Sequence, residues 1–134
     1  MVQITGIAAQ LFVNDVIESA EYYRDVLGFS FERFFGDPPV FVGVDRGEAK
    51  LLLKTAPESR RPLVSNTAYP SPGGFTDVYI YCDDVMALAE ELRAKGADIV
   101  VEPVERPIYN GRELHVRDCN GWVLCFGQLL DDAD

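Results

Sequence analysis

The feature that most constrains this chain is a partial repeat of itself. Moved by 69 positions (84 − 15), Asp15 falls on Asp84, Val16 on Val85, Ala20 on Ala89, Glu21 on Glu90 and Arg24 on Arg93. That is five identities in the eleven positions Asn14 to Arg24. Internal duplication at this distance points to two copies of one structural unit, each too small to bury a core without a partner. The elements around the matched stretch repeat in the same order, which carries more weight than the identities.

In the first copy, Ile4 to Val13 is a long apolar run that reads as a strand. Asn14-Asp15 supplies a cap, and Val16, Ala20, Tyr23, Val26 and Leu27 recur at helical spacing up to Gly28. Phe29–Phe35, Val40–Val44 and Ala49–Lys54 then read as three strands, separated by Gly36-Asp37-Pro38-Pro39 and Arg46-Gly47. In the second copy, Phe75–Cys82 is a strand and Asp83-Asp84 a cap. Val85, Leu88, Ala89 and Leu92 form a helical stripe ending at Gly96. Ile99–Val104 is a strand, Tyr109-Asn110-Gly111 a turn, and a last hairpin follows. Between the copies, Pro57, Pro62, Pro70, Pro72, Gly73 and Gly74 mark a linker, with Gly73-Gly74 as a turn. It is long for a connection inside a compact domain, so it is a candidate to cover a site. The expected organisation is one domain over 1–134: module one at about 4–56, linker at about 57–74, module two at about 75–128.

Composition narrows the partners. The chain is 48% hydrophobic and 25% charged, enough apolar surface for a core. A net charge of −10 speaks against nucleic acid or an anionic membrane, both of which need a basic face, and suits a cationic ligand. No apolar run reaches the length of a membrane helix, and the first residues lack the pattern of a signal peptide. Cys82, Cys119 and Cys125 are odd in number with no CxxC spacing, which fits a reducing cytoplasm.

The last hairpin is Arg117-Asp118-Cys119-Asn120-Gly121-Trp122-Val123-Leu124-Cys125-Phe126. Asp118 to Gly121 is its turn: Asp and Asn bond their own backbone, and Asn-Gly tolerates positive φ. Together with Val13-Asn14-Asp15-Val16 and Tyr22-Tyr23-Arg24-Asp25-Val26-Leu27-Gly28-Phe29, this hairpin resembles the vicinal-oxygen-chelate superfamily. That superfamily contains glyoxalase I, bleomycin-resistance proteins and extradiol dioxygenases, and the resemblance covers about residues 4 to 128. It implies an α+β fold of two βαβββ modules forming a curved mixed sheet, with helices outside and a concave binding face. It also implies a homodimer, since pairing covers sheet edges and apolar faces.

Strand alternation places Ile7, Ala9, Leu11, Val13, Leu51, Leu53, Val78, Ile80 and Cys82 under the helices. The concave face then receives Ala8, Gln10, Phe12, Leu52, Asp77, Tyr79, Tyr81, Cys125 and His115. Metal-dependent relatives carry His, Gln or Glu on the first, fourth, fifth and eighth strands. By the resemblance those places fall here at Ala8, Leu52, Asp77 and Cys125. Ala8 and Leu52 cannot bind a metal, so none is expected, and the metal-free, bleomycin-resistance-like branch is the better match. Asp77, His115, Cys125 and a water form the one conceivable alternative metal site. His115 could also act in acid–base chemistry beside Glu113 or Asp77. The expected function is sequestration of a small, partly aromatic and cationic ligand by Gln10, Phe12, Asp77, Tyr79, Tyr81, His115, Trp122 and Cys125. No cofactor and no catalytic residue are expected. The alternatives are a lyase, isomerase or dioxygenase with altered metal ligands, and an accessory module of a larger assembly.

Overall fold

A computed structural model describes residues 1–72 and 74–130. Gly73, half of the expected Gly73-Gly74 turn, lies outside the described residues. The chain divides into two compact units, the first running to Arg61 and the second starting at Pro62. Both have the expected strand–helix–strand–strand–strand order.

The first unit contains β1 (Ala9–Val13), α1 (Val16–Asp25), β2 (Phe34–Phe35), β3 (Phe41–Arg46) and β4 (Ala49–Thr55). Its sheet has the order β1-β4-β3-β2, with β1 and β4 parallel and the other pairs antiparallel. The helix starts where the sequence marks it: the Asp15 carboxylate accepts from the amides of Ile17 at 2.9 Å and Glu18 at 3.0 Å. Val16, Ala20, Tyr23 and Leu27 are buried, as are Leu11, Val13, Val42, Val44, Leu51 and Leu53 of the sheet. Gly28, at φ 76°, ends the helical segment.

Two strands of the first unit are shorter than the apolar runs suggest, as is the first strand of the second unit, Val78–Tyr81 against the expected Phe75–Cys82. Residues 4–8 lie outside β1, and Ile7 is 92% exposed. The parallel register with β4 begins at Ala9 opposite Leu51, so nothing in the ladder pairs the earlier residues. The run Phe29–Phe35 yields only the two-residue β2 and an isolated bridge between Ser30 and Asp45. Its aromatics pack instead on each other and on cations: Phe31 lies 5.2 Å from Phe34, and Arg33 sits 4.7 Å over Phe35.

The second unit repeats the plan with β5 (Val78–Tyr81), α2 (Val85–Ala94), β6 (Asp98–Arg106), β7 (Gly111–Arg117) and β8 (Val123–Leu129). The sheet order is β5-β8-β7-β6, again with its first and last strands parallel. Asp84 caps α2 by accepting from the amide of Ala87 at 3.0 Å, and Gln128 of β8 accepts from that of Val85 at 2.9 Å. Val85, Leu88, Ala89 and Leu92 are buried on the helix, and Leu114, Val116, Leu124 and Phe126 on the sheet. Each fully buried Leu contributes on the order of 1.5–3 kcal/mol of hydrophobic stabilisation. The hairpin turn between β7 and β8 is held by Asp118, whose carboxylate accepts from the amides of Asn120 at 2.8 Å and Trp122 at 2.9 Å. Gly121 there has φ 89°, as the Asn-Gly signal requires.

The linker is not loose chain. Short 3-10 turns occupy Glu58–Arg60 and Asn66–Ala68. Arg61 donates to the carbonyls of Ala56 and Asn14, both at 3.1 Å, tying the start of the linker to the first unit. Its later part is tied to the second unit through Asp77.

Asp15→Ala should cost about 1 kcal/mol of unfolding free energy, because two helix-end amides lose their acceptor. Urea denaturation measures it, and Asp15→Asn should recover most of the loss.

Candidate functional site

The two faces of the second sheet differ in chemistry. One face, carrying Leu114, Val116, Leu124 and Phe126, is buried together with the apolar stripe of α2. Alternation sends Glu113 and His115 of β7 to the other face. Register places Cys125 opposite His115 and opposite Tyr79, and Gly127 opposite Glu113. On that face the unit forms a cavity of about 720 Å³. Its floor includes Tyr79, Arg106, Tyr109, Glu113, His115 and Cys125, and Tyr69 of the linker and Phe75 just after it form a wall.

Glu113 is the centre of this floor. Its side chain is 12% exposed and accepts hydrogen bonds from four side chains. Tyr79 Oη donates to Oε2 at 3.1 Å, and Tyr109 Oη donates to the same oxygen. Arg106 Nε donates to Oε1 at 3.2 Å, and His115 Nε2 lies 3.1 Å from that oxygen. The two phenol oxygens are 2.8 Å apart. Burial alone would raise the Glu113 pKa, but the bonds from Tyr109, His115, Arg106 and Tyr79 outweigh it and hold the carboxyl down at about 2. Burial raises both tyrosines above the usual phenol value; the Glu113 charge adds to the rise at Tyr109. Burial, then the charge of Glu113, pushes the Cys125 thiol well up, so it stays protonated and is no nucleophile at neutral pH.

Two glycines make room for the tyrosines. A Cβ on Gly127 would lie 2.2 Å from Tyr79 Oη, and one on Gly111 would lie 2.0 Å from the Tyr109 ring. Tyr79 therefore crosses β8 at Gly127 to reach Glu113 on β7. Tyr109 folds back over the start of β7 from the 3-10 turn Pro107–Tyr109, after which Asn110 takes the left-handed φ of 55°.

Of the side chains expected at the site, the structure brings Tyr79, His115 and Cys125 together. Tyr81, 70% exposed, packs its ring 5.2 Å from that of Tyr79. Trp122 is half-buried at the hairpin turn. Gln10 and Phe12 lie on β1 of the first unit, both exposed. The Asp77 carboxylate accepts from Ser65 Oγ, from the Asn66 amide at 2.7 Å and from the Val123 amide at 2.8 Å. It pins the linker to the start of β8. The acid beside His115 and Cys125 is Glu113. Arg106 and Tyr109 went unmarked in the sequence because nothing local announces them. They reach Glu113 only through the β6–β7 pairing and the turn that joins those strands.

A family model of the Glyoxalase/Bleomycin resistance protein/Dioxygenase superfamily matches residues 3–126, and the chain belongs to that superfamily. No curated protein matches it. Among solved structures, UcmS2 is 22% identical with a TM-score of 0.72, covering 94% of this chain and 98% of its own. TnmS3, an antibiotic binding protein from Streptomyces sp. CB03234, is 20% identical with a TM-score of 0.71, covering 97% of this chain and 99% of its own. A lactoylglutathione lyase from Agrobacterium tumefaciens is 22% identical with a TM-score of 0.65, covering 92% of each chain. These likenesses bear out the fold of two repeated modules.

The resident metal of the metal-dependent relatives does not fit these residues. Ala8 and Leu52 offer no donor atom. Asp77 already accepts three hydrogen bonds. Glu113, His115 and Cys125 do bring their ligand atoms within 4.8 Å of one another. There, however, the Arg106 guanidinium lies on the carboxylate, so a cation would meet a positive charge.

Glu113 also sets an acid dependence. Its folded pKa lies below the ordinary 4.5, so its stabilising contribution is complete above that value and disappears as pH falls toward about 2. Glu113→Gln should flatten the stability profile between these limits, measured by urea unfolding at a series of pH values. An unchanged acid limb in the variant would assign that limb to other groups.

Proposed function

We propose that the chain is a metal-free binding protein for a small, partly aromatic molecule held in the cavity of the second unit. The observation that carries this reading is the cavity of about 720 Å³ with tyrosines on its floor and further aromatics on its linker wall. Rings in such a site gain area and stacking on Tyr79 and Tyr109. The hydrogen-bonded floor supplies polar groups held in fixed positions by Glu113. Burial keeps the Cys125 thiol protonated, and the Tyr109 phenol holds its proton as a hydrogen-bond donor. TnmS3, described as an antibiotic binding protein, shares the fold and supports the same reading. Tyr79, Tyr109, His115 and Cys125 are the proposed contacts; Tyr81, Asp77 and Trp122 of the same unit are candidates to extend or brace the site, and Gln10 and Phe12 are candidates on the first unit's own sheet. No helix among the described residues is long and apolar enough to cross a membrane. An odd number of cysteines without CxxC spacing supports a cytoplasmic location.

A thermal-shift screen of planar aromatic antibiotics and metabolites should yield stabilising ligands, followed up by calorimetry. Tyr79→Ala should weaken a hit by about 1–3 kcal/mol through lost stacking and a lost hydrogen bond. Gly127→Ala should also weaken it by displacing the Tyr79 ring, with less effect on stability because that ring is 40% exposed and can swing outward. Hits indifferent to both changes would place the binding site elsewhere.

We further propose a homodimer as the working form. The exposed Phe12, Phe35 and Val40 of the first unit support it, since burying them against a second copy is favourable. Light scattering at micromolar concentration should give twice the chain mass, and a single-chain mass would refute the dimer.

A further inference from the structure

Building on that reading, we infer that the ligand's polar end is an anion, an aromatic carboxylate or its equivalent, gripped by Arg106. Arg106 is the one Lys or Arg among the residues lining the cavity, and its side chain is 39% exposed. Its Nε donates to Glu113 Oε1 at 3.2 Å. Nη1 and Nη2 have no hydrogen-bond partner among the described residues. A guanidinium anchored through Nε with both terminal nitrogens available keeps the edge that pairs with carboxylates in two parallel bonds. Because Glu113 already fixes the fork, little rotamer freedom remains to be lost on binding.

The charge balance within the cavity favours the same conclusion. The chain as a whole carries −10, which favours cations at long range. The cavity lining is different. Among the described residues Glu113 is its only carboxylate, and that carboxylate accepts from Tyr79, Tyr109, Arg106 and His115. A cationic ligand would have to displace one of these donors and would lie beside the guanidinium. An anionic ligand displaces none of them and meets unpartnered N–H groups. At close range these contacts outweigh distant surface charges, which salt screens. Tyr79 and Tyr109 beside Arg106 give the attached ring its surface.

The test uses two probes of one shape, 1-naphthoate and 1-naphthamide, titrated by calorimetry into the full chain at neutral pH. The wild type should bind the carboxylate about ten- to hundredfold more tightly than the amide, as expected for charged hydrogen bonds in a partly enclosed site. In Arg106→Gln that ratio should fall to near one. Side-chain 15N spectra of the wild type give a reading that needs no variant: the Arg106 Nε–H resonance should shift with naphthoate and stay in place with naphthamide. Equal binding of the two probes, a ratio unchanged in Arg106→Gln, or a resonance that ignores naphthoate would overturn the anion assignment. Equal binding would still leave the aromatic binding site standing. Binding of neither probe overturns the anion assignment, and the binding reading itself falls only if the wider aromatic screen is empty as well.

Discussion

In each unit the first strand lies parallel to the last, and everything else follows from closing that pair. Parallel neighbours cannot be joined by a tight turn, so the chain must leave the sheet and return. α1 and α2 provide the departure, each covering one face with a four-residue apolar stripe or its near equivalent. The remaining strands run back antiparallel until the last drops in beside the first, Leu51 opposite Ala9 in one unit and Leu124 opposite Val78 in the other. The uncovered face of the second sheet is where polar side chains gather, because burial against the helix is closed to them.

The parts of this plan that depend on local signals were legible in the sequence. Asp15 and Asp84 marked helix starts, Gly28 and Gly96 their ends, and Asn120-Gly121 the last turn. Parity alone sent Tyr79, His115 and Cys125 to one face, where the structure has them. Strand extents were less legible, because an apolar run does not state how much of itself will find a partner. Ile4 to Ala8 has none in the ladder beside β4. Asp77 shows a different limit. Parity places it with Tyr79, but a residue just before a strand takes its direction from the turn, and here amides of the linker and β8 surround its carboxylate. Arg106 and Tyr109 depend on pairing between strands and on a glycine's missing side chain, neither of which has a period to detect.

Glu113 shows why a half-buried acid can be an asset to such a site. A carboxylate removed from water without partners would take up a proton. Here four donors keep it ionised, and in return it orients two phenols, an imidazole and a guanidinium carried by β5, β6, β7 and the turn between β6 and β7. Burial, and then the same charge, suppress ionisation of Cys125. One side chain thus fixes the floor in place and, together with burial, keeps the thiol beside it protonated.

The clamp at Asp77 separates shape from chemistry. The carboxylate fastens Ser65 and Asn66 to Val123, and the segment beyond it supplies cavity wall through Thr67, Tyr69, Pro70 and Phe75, while the floor stands on β5, β6, β7, β8 and the turn before β7. Length and composition of the wall can therefore drift without disturbing the sheet, so long as its root stays fastened. A cavity built in this way can be retailored to molecules of different outline by insertions and substitutions in one surface segment, with the polar floor inherited intact.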